Sequence, residues 1–501
     1  MSGNQLPAVQ HVVQLMLENR SFDHMLGFLY AASGNVSATG APFEGLTGQE
    51  SNPGTNGSPV TVFKIDPTTA GAYFMPGADP GEGYANTNSQ LFGHGTAPVP
   101  PVATNTGFVT NFDATITWDT RAGRSVEAGT TASNIMGIFT PEALPVLSGL
   151  ARGFAVCDHW YASAPTETFP NRAFACAATS QGHMNDGTAS YTVQSIFGLM
   201  TAHNVPWKIY GYNAEPLTRK NFPDTTSAPD TCFGKFADFT ADAAAGQLPA
   251  YAFMEPSWGS TGNSQHPNYD VSLGEKLLHD VYYALRGGPG WDQTLLIITY
   301  DEHGGCYDHV PPPSGAVPPD SSPGEFGFDF TRFGVRVPAV LVSPLIAAGT
   351  VYRVADGTMP LDHTSVLKTV ETRWGLPALT ARDAAAPDVG GALTLATART
   401  DDPLASVTVP VSTGANPATA EVSHIQQVDA QLTSQLPVPA EALRTAPLLE
   451  NQKTPADYAS YTSTRTETWK SSRARQPSPA AVPGATPPAA PAPPGSPTTS
   501  G

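Results

Sequence analysis

The chain has 501 residues, with 25 Lys and Arg against 43 Asp and Glu, a formal net charge of −18. A content of 40% hydrophobic and 9% aromatic residues suffices for a core and excludes disorder throughout. The acidic balance excludes the basic footprint of a nucleic-acid binder and any long-range attraction to an anionic membrane surface.

Only 14% of the residues are charged, and 49 prolines with 47 glycines fill the difference. That mixture predicts long, shaped loops around a compact body. The start, Met1-Ser2-Gly3-Asn4-Gln5, lacks a basic n-region, and no apolar run reaches the roughly 18 residues needed to span a bilayer. A soluble protein is expected, cytoplasmic as written, with export by an unrecognised route left open. Cys157, Cys176, Cys232 and Cys306 show no metal-type spacing and read as buried or free thiols, with two disulfides left open by the even count.

Val9 to Leu17 reads as a buried strand, and Ser21 to Tyr30 as the turn and helix after it. From Gly34 to about position 135 runs an insertion rich in Gly, Ser, Thr, Asn and Pro. Its aromatics, Phe43, Phe63, Tyr73, Phe74 and Phe92, predict an ordered irregular cover with some strand. Pro141 to Arg152 is an amphipathic helix, Phe154 to His159 a short strand, and Arg172 to Ser180 a helix of small residues. Ser272 to Leu285 has helical spacing. Thr294 to Thr299 and Val337 to Val342 are β-branched or apolar strands. Asp362 to Trp374 is a helix capped by Asp362 or Thr364. Residues 477–501 hold nine prolines with no charge or aromatic, which predicts a disordered tail after one catalytic domain spanning 1–470. Strands interleaved with helices predict an α/β fold, a mostly parallel sheet covered by helices on both faces.

Polar clusters follow two of the core strands: Glu18-Asn19-Arg20-Ser21-Phe22-Asp23-His24 and Asp301-Glu302-His303-Gly304-Gly305. Carboxylates at buried strand ends are costly unless paired or bound to a cation. Salt bridging and helix capping explain each cluster alone; together, at one edge, they favour a split metal site. The third segment, Ser163 to Arg172, places hydroxyls before a helix, where an N-cap and an anion site are both ordinary.

Three blocks carry a resemblance: Glu18 to Gly27, Thr168-Phe169-Pro170-Asn171-Arg172, and Asp301-Glu302-His303-Gly304-Gly305 with Tyr307-Asp308-His309-Val310-Pro311. In order from His11 to Trp374, the chain resembles the phosphoesterase family of bacterial phosphatidylcholine-type phospholipases C. That family also holds plant non-specific phospholipases C and an acid phosphatase branch. The resemblance implies an alkaline-phosphatase-like fold with long loop insertions. It implies Glu18, Asn19, Asp301 and Glu302 as metal ligands for one or two divalent cations, with Ca²⁺, Mg²⁺, Mn²⁺ and Zn²⁺ all open.

Thr168 matches the nucleophile; Ser163 and Thr166 are disfavoured hydroxyls. His266 and His303 match site histidines that contact phosphate or serve the leaving group. Asn171 and the helix amides would stabilise phosphoryl oxygens, and His363 and Asp308 are weaker matches. Glu82 stands in Asp79-Pro80-Gly81-Glu82 where family members often carry a His. It reads as a ligand, a substrate-facing general acid or a solvated loop residue. Tyr73, Phe74, Tyr84 and Phe92 are candidates for a choline cage, or anchor their loop. The expected activity is metal-dependent hydrolysis of phosphate esters through a phosphothreonine, of phospholipase C type on phospholipid. An acid phosphatase on small monoesters and a non-catalytic binding protein are the alternatives. The expected partner is a phosphate-ester substrate, a phospholipid at a membrane surface being one form; oligomeric state is not legible.

Overall fold

The computed structural model describes residues 4–187, 191–259, 261–413, 421–444 and 447–474. The expected tail, 477–501, lies outside the described residues. Eight strands form the central sheet: β1 (His11–Leu17), β2 (Ala155–Val156), β3 (Trp207–Gly211), β4 (Phe233–Lys235), β5 (Tyr251–Glu255), β6 (Thr294–Tyr300), β7 (Ala339–Val342) and β8 (Thr350–Val351). Their spatial order is β8-β2-β7-β6-β1-β5-β3-β4. All neighbours pair in parallel except β7, which is antiparallel to both β6 and β2. The expected α/β class with a mostly parallel sheet is therefore observed. β7 was expected as one more core strand, and pattern alone carries no strand direction.

β1 and β6 occupy the centre and are apolar on both faces, as a sheet covered on both sides requires. The one buried amide there, Gln14, is satisfied across three strands: its Nε2 donates to Thr299 Oγ1 at 3.4 Å, and Tyr251 OH donates to its Oε1 at 2.7 Å. Register matters most for function. His11 faces Thr294 and Leu17 faces Tyr300, so both strands end level and Glu18 and Asp301 leave the sheet side by side.

The flanking helices follow the sequence pattern with shifted ends. Helix α1 (Phe22–Leu26) is capped by Ser21, whose hydroxyl accepts from His24 N. Helix α4 (Pro145–Gly153) begins four residues later than expected, with Pro145 in its first turn. Helix α5 (Thr168–Ala177) begins four residues earlier than expected, which puts Thr168 in its first position. Helices α6 (Val271–Arg286) and α7 (Thr364–Trp374) lie where predicted. Asp362 serves α7 by accepting from Thr364 N at 3.0 Å.

The insertion differs from the expectation of an irregular cover. It holds short strands at 51–53, 59–61 and 63–65, and two helices, α2 (Tyr84–Phe92) and α3 (Phe108–Ala122). These close over a second apolar cluster, with Leu46, Leu91, Phe108, Phe112, Ile135 and Ile138 all buried. Segments such as Ala85-Asn86-Thr87-Asn88-Ser89 have poor helix propensity, so packing on that cluster decides their conformation. Two further helices, α8 (His424–Gln435) and α9 (Pro455–Ala474), follow the sheet domain. No helix among the described residues is long and apolar enough to cross a membrane. All four cysteines are free thiols.

Candidate active site

The strand ends create the site through a left-handed turn and two glycines. Asn19 has φ 54°, a conformation Asn tolerates, and its amide donates to Asp301 Oδ1 at 2.9 Å. Gly304 has φ 60°, and a Cβ there would stand 1.9 Å from Asn19 O. The two polar clusters interlock because residue 304 carries no side chain.

Thr168, nearly fully buried, donates from Oγ1 to Asn19 Oδ1 at 3.2 Å. The Nδ2 of that same amide donates to Glu82 Oε2. A chain thus runs from Thr168 through Asn19 to Glu82, which settles Glu82 inside the site. Burial first, then Glu302, Asp79, Asp186 and Glu167, push Glu82 well above the usual carboxylate range. Burial also raises Glu18 and Glu302.

Glu18 and Glu302 are buried, and each keeps one carboxylate oxygen, Oε1, without a hydrogen-bond partner. With the Asn19 carbonyl and Asp301 they form an all-oxygen donor set suited to a hard or borderline divalent cation. Asp301 is also paired with Arg172 Nε at 3.0 Å. Two trios with carboxylate or imidazole atoms within 4.8 Å of one another are Asp79–Glu82–His266 and Glu82–Asp186–His424. Glu18, Asp301 and Glu302 do not form such a trio among the described residues. A third trio, Asp23–Asp308–His309, lies apart. There Arg336 donates to Asp23 Oδ1 at 2.8 Å and to Asp308 Oδ1 at 2.9 Å, so Asp308 belongs to a salt bridge.

A cavity of about 350 Å³ reaches Glu18 and the first two trios, while Asn19, Asp301 and Glu302 are not among its lining residues. Its walls include Glu18, Asp79, Glu82, Thr168, Asp186 and His266, and from the C-terminal segment Ser423, His424 and Gln427. Thr168 and His266 therefore share one space, as expected. His266 Nδ1 lies 3.0 Å from Pro267 O, and its ring stacks on Tyr269.

Three expected site residues are placed differently. His303 is 1% exposed, with Nε2 2.7 Å from Gln90 Oε1 and Nδ1 3.2 Å from Glu302. Burial takes its pKa down to about 3, and the ring lies against Glu302, outside the residues that line the cavity. His363 is fully buried, with Nε2 2.6 Å from Asp301 O, and steadies that turn.

Asn171 gives its amide nitrogen to the carbonyls of Ala164, Thr166 and Glu167, and its Oδ1 accepts from Ala164 N. Every polar atom of that side chain is used to fold the loop before Thr168. In the first turn of α5, Phe169 N donates to Asp186 Oδ1 at 2.7 Å, and Pro170 has no amide hydrogen. The disfavoured hydroxyls are likewise occupied, Ser163 with Asp362 and Thr166 with Met184 O.

The choline-cage candidates do not converge on the cavity. Phe74 is core, Tyr84 stacks on Phe326, and Phe92 lies beneath Arg332. Tyr269 is the one Phe, Tyr or Trp among the described lining residues. Residues that sequence reading missed are Asp186 and His424, each isolated in its local sequence with no motif around it. Asp79 stood inside the quoted Asp79-Pro80 run and could have been named.

The family model described as "Phosphoesterase family" matches residues 9–377. Non-specific phospholipase C6 of Arabidopsis thaliana is 37% identical over 421 residues, covering 79% of this chain and 74% of that protein. Non-specific phospholipase C1 of the same plant is 36% identical, covering 75% and 69%. Phospholipase C A of Mycobacterium tuberculosis is 28% identical, covering 78% of each. Among solved structures, a protein in the alkaline phosphatase superfamily from Vibrio parahaemolyticus aligns over 49% of this chain and 63% of that one. Its TM-score is 0.30 at 13% identity.

Proposed function

The chain belongs to the phosphoesterase family, and from that premise we propose that it hydrolyses phosphate esters as a phospholipase C, with Thr168 as nucleophile. The observation that carries this reading is the position of Thr168. Its hydroxyl begins a helix at the carboxyl edge of the sheet, lines the cavity, and bonds the Asn19 side chain between two carboxylate-bearing strand ends.

A divalent cation held by Glu18, Asn19, Asp301 and Glu302 would lower the cost of the Thr168 alkoxide and of charge on the phosphoryl oxygens. The unpartnered Oε1 atoms of Glu18 and Glu302 support those residues as its holders. Thr168 attacks phosphorus to give a phosphothreonine and release the alcohol; water then hydrolyses the intermediate. Asn171 folds the loop that aims Thr168, and Arg172 holds Asp301 and the end of β1 through Leu17 O. His266 faces the phosphoryl group from the wall that carries Glu18 and Asp79.

A second reading, phosphatase action on small monoesters, draws on the cavity itself. About 350 Å³ with a single aromatic fits a phosphoryl group and a polar head group, and offers no cage for choline. Purified protein and Thr168→Ala, assayed on p-nitrophenyl phosphate and p-nitrophenylphosphorylcholine with and without chelator, test both readings. Loss of turnover in Thr168→Ala, and in wild type with chelator, is the expected result. Full activity in the variant overturns the nucleophile, chelator-resistant turnover overturns the cation, and turnover of the monoester alone selects the phosphatase reading.

A further inference from the structure

Resting on the phosphoesterase reading, we infer that His424, on a helix beyond the segment matched by the family model, is a catalytic residue. It delivers a proton to the leaving alcohol and takes one from the incoming water.

Among the described residues, two imidazoles line the cavity that contains Thr168, those of His266 and His424. His266 Nδ1 lies 3.0 Å from the Pro267 carbonyl and 3.9 Å from Asp79 Oδ1. His424 makes the shorter carboxylate contact of the two. Its Nδ1 lies 3.4 Å from Asp186 Oδ2, so a carboxylate backs the ring while the side chain stays 48% exposed to the cavity mouth. Asp186 is itself 4% exposed and fixed, because its Oδ1 accepts from Phe169 N, the amide next to Thr168. An imidazole backed by a buried carboxylate is an arrangement that orients a ring for proton transfer.

Packing makes this placement durable. Ile425, the next residue after His424, shares one apolar cluster with Phe169, Val428, Leu432 and Leu217. Helix α8 is thus clamped to the helix that begins with Thr168. A ring nitrogen of His424 lies within 4.8 Å of carboxylate oxygens of both Asp186 and Glu82, and Glu82 closes the chain through Asn19 to Thr168. The hydrogen bond to Asp186, with burial opposing and the charges of Asp186, Glu167 and Asp79 assisting, raises the pKa of His424.

In the first half-reaction the Thr168 Oγ–P bond forms and the Thr168 proton passes to solvent. The bond from phosphorus to the alcohol oxygen breaks, and its electron pair leaves with the oxygen. That oxygen takes the His424 proton, so a neutral alcohol departs. In the second, water enters on the face the alcohol vacated and gives a proton to His424 as its oxygen bonds phosphorus. The Oγ–P bond breaks and Thr168 recovers a proton from solvent. Asp186 is a positioning residue in both halves.

The test compares leaving groups. His424→Gln, His424→Ala and Asp186→Asn would be assayed on phosphatidylcholine in mixed micelles and on glycerol 2-phosphate, whose alcohols leave poorly. The same variants would be assayed on p-nitrophenylphosphorylcholine and p-nitrophenyl phosphate, whose nitrophenolate needs no proton. His424 variants are expected to lose about 10²–10⁴-fold in kcat/KM, which reports the alcohol-releasing half-reaction and not the later attack of water, on whichever alkyl ester the wild type turns over. Their loss on the matching aryl ester is expected to be far smaller, and Asp186→Asn should show the same selectivity. An equal loss on both leaving groups would overturn the inference, since a structural, phosphate-binding or cation-holding role acts on both. An unchanged alkyl rate overturns it as well. Wild type inactive on all four substrates overturns the phosphoesterase reading and the inference together. Wild type active and Thr168→Ala inactive, with no leaving-group selectivity at His424, overturns the inference alone.

Discussion

Asn19 and Gly304 show how little separates this site from a collapsed one. Asn19 adopts φ 54° so that its amide reaches Asp301 while its side chain spans Thr168 and Glu82. Gly304 passes directly over Asn19 O with φ 60°. Gly304→Ala puts a methyl group 1.9 Å from that oxygen in a conformation that costs an L-residue about 1–3 kcal/mol before the clash is counted. The expected outcome is a lower urea midpoint and at least a tenfold (about 1.4 kcal/mol) loss of kcat/KM on p-nitrophenyl phosphate. A variant with unchanged midpoint and rate would show that the two strand ends do not depend on this approach. At this scale the sequence was partly legible. The contiguous pairs Glu18-Asn19 and Asp301-Glu302 were readable as neighbouring polar strand ends because each pair sits directly after an apolar strand. Asn171, His303 and His363 were expected to meet substrate, because a motif names a residue and not the direction of its side chain.

Elements transmit this arrangement through a few buried carboxylates at helix ends. Glu275, on α6, is fully buried and accepts from Val146 N at 2.6 Å and Leu147 N at 3.0 Å, the open amides of α4. It acts as a cap supplied from another helix. Glu275→Ala leaves both amides without a partner in the interior, and a loss of about 1–3 kcal/mol is expected by urea unfolding. Glu275→Gln, which keeps an acceptor, should recover part of it; equal stability of Ala, Gln and wild type would contradict the cap. The strands and the long helices were readable from apolar pattern. α2 was not, because Ala85-Asn86-Thr87-Asn88-Ser89 carries no apolar periodicity and acquires its shape from the cluster around Leu91 and Phe112, and the helical spacing of Phe108, Phe112 and Ile116 in α3 was passed over. The boundary of α5 was displaced for a related reason: Pro170 is tolerated in a first turn, so the helix starts at Thr168.

For the molecule as a whole, the net charge of −18 is gathered in part inside. Glu371, 3% exposed on α7, is held up to about 9, by burial first and then by neighbouring Asp383. Its native pKa exceeds the ordinary 4.5, so the native state keeps a proton that the unfolded chain has released. The resulting stabilisation is full below about pH 4.5 and is lost as pH rises toward 9. Urea midpoints are therefore expected to fall between about pH 5.5 and 8.5, and Glu371→Gln should make that decline shallower. An identical slope in the variant would remove Glu371 from the account.

The sequence by itself determined the polar groups at the strand ends: a glutamate with an asparagine, an aspartate with a glutamate, a threonine before a helix, and the α/β alternation that brings strand ends to one edge. These are local in the chain, where a strand, a turn and a helix start are written within a few consecutive residues. Tertiary structure alone decided that Glu82 joins Thr168 through Asn19, that His303 is sealed away, and that Asp186 and His424 meet beside Thr168. Each of those contacts joins segments far apart in the chain. Their partners are chosen by packing, here of Phe169 against Ile425, Val428 and Leu432, and no spacing within the chain encodes that choice.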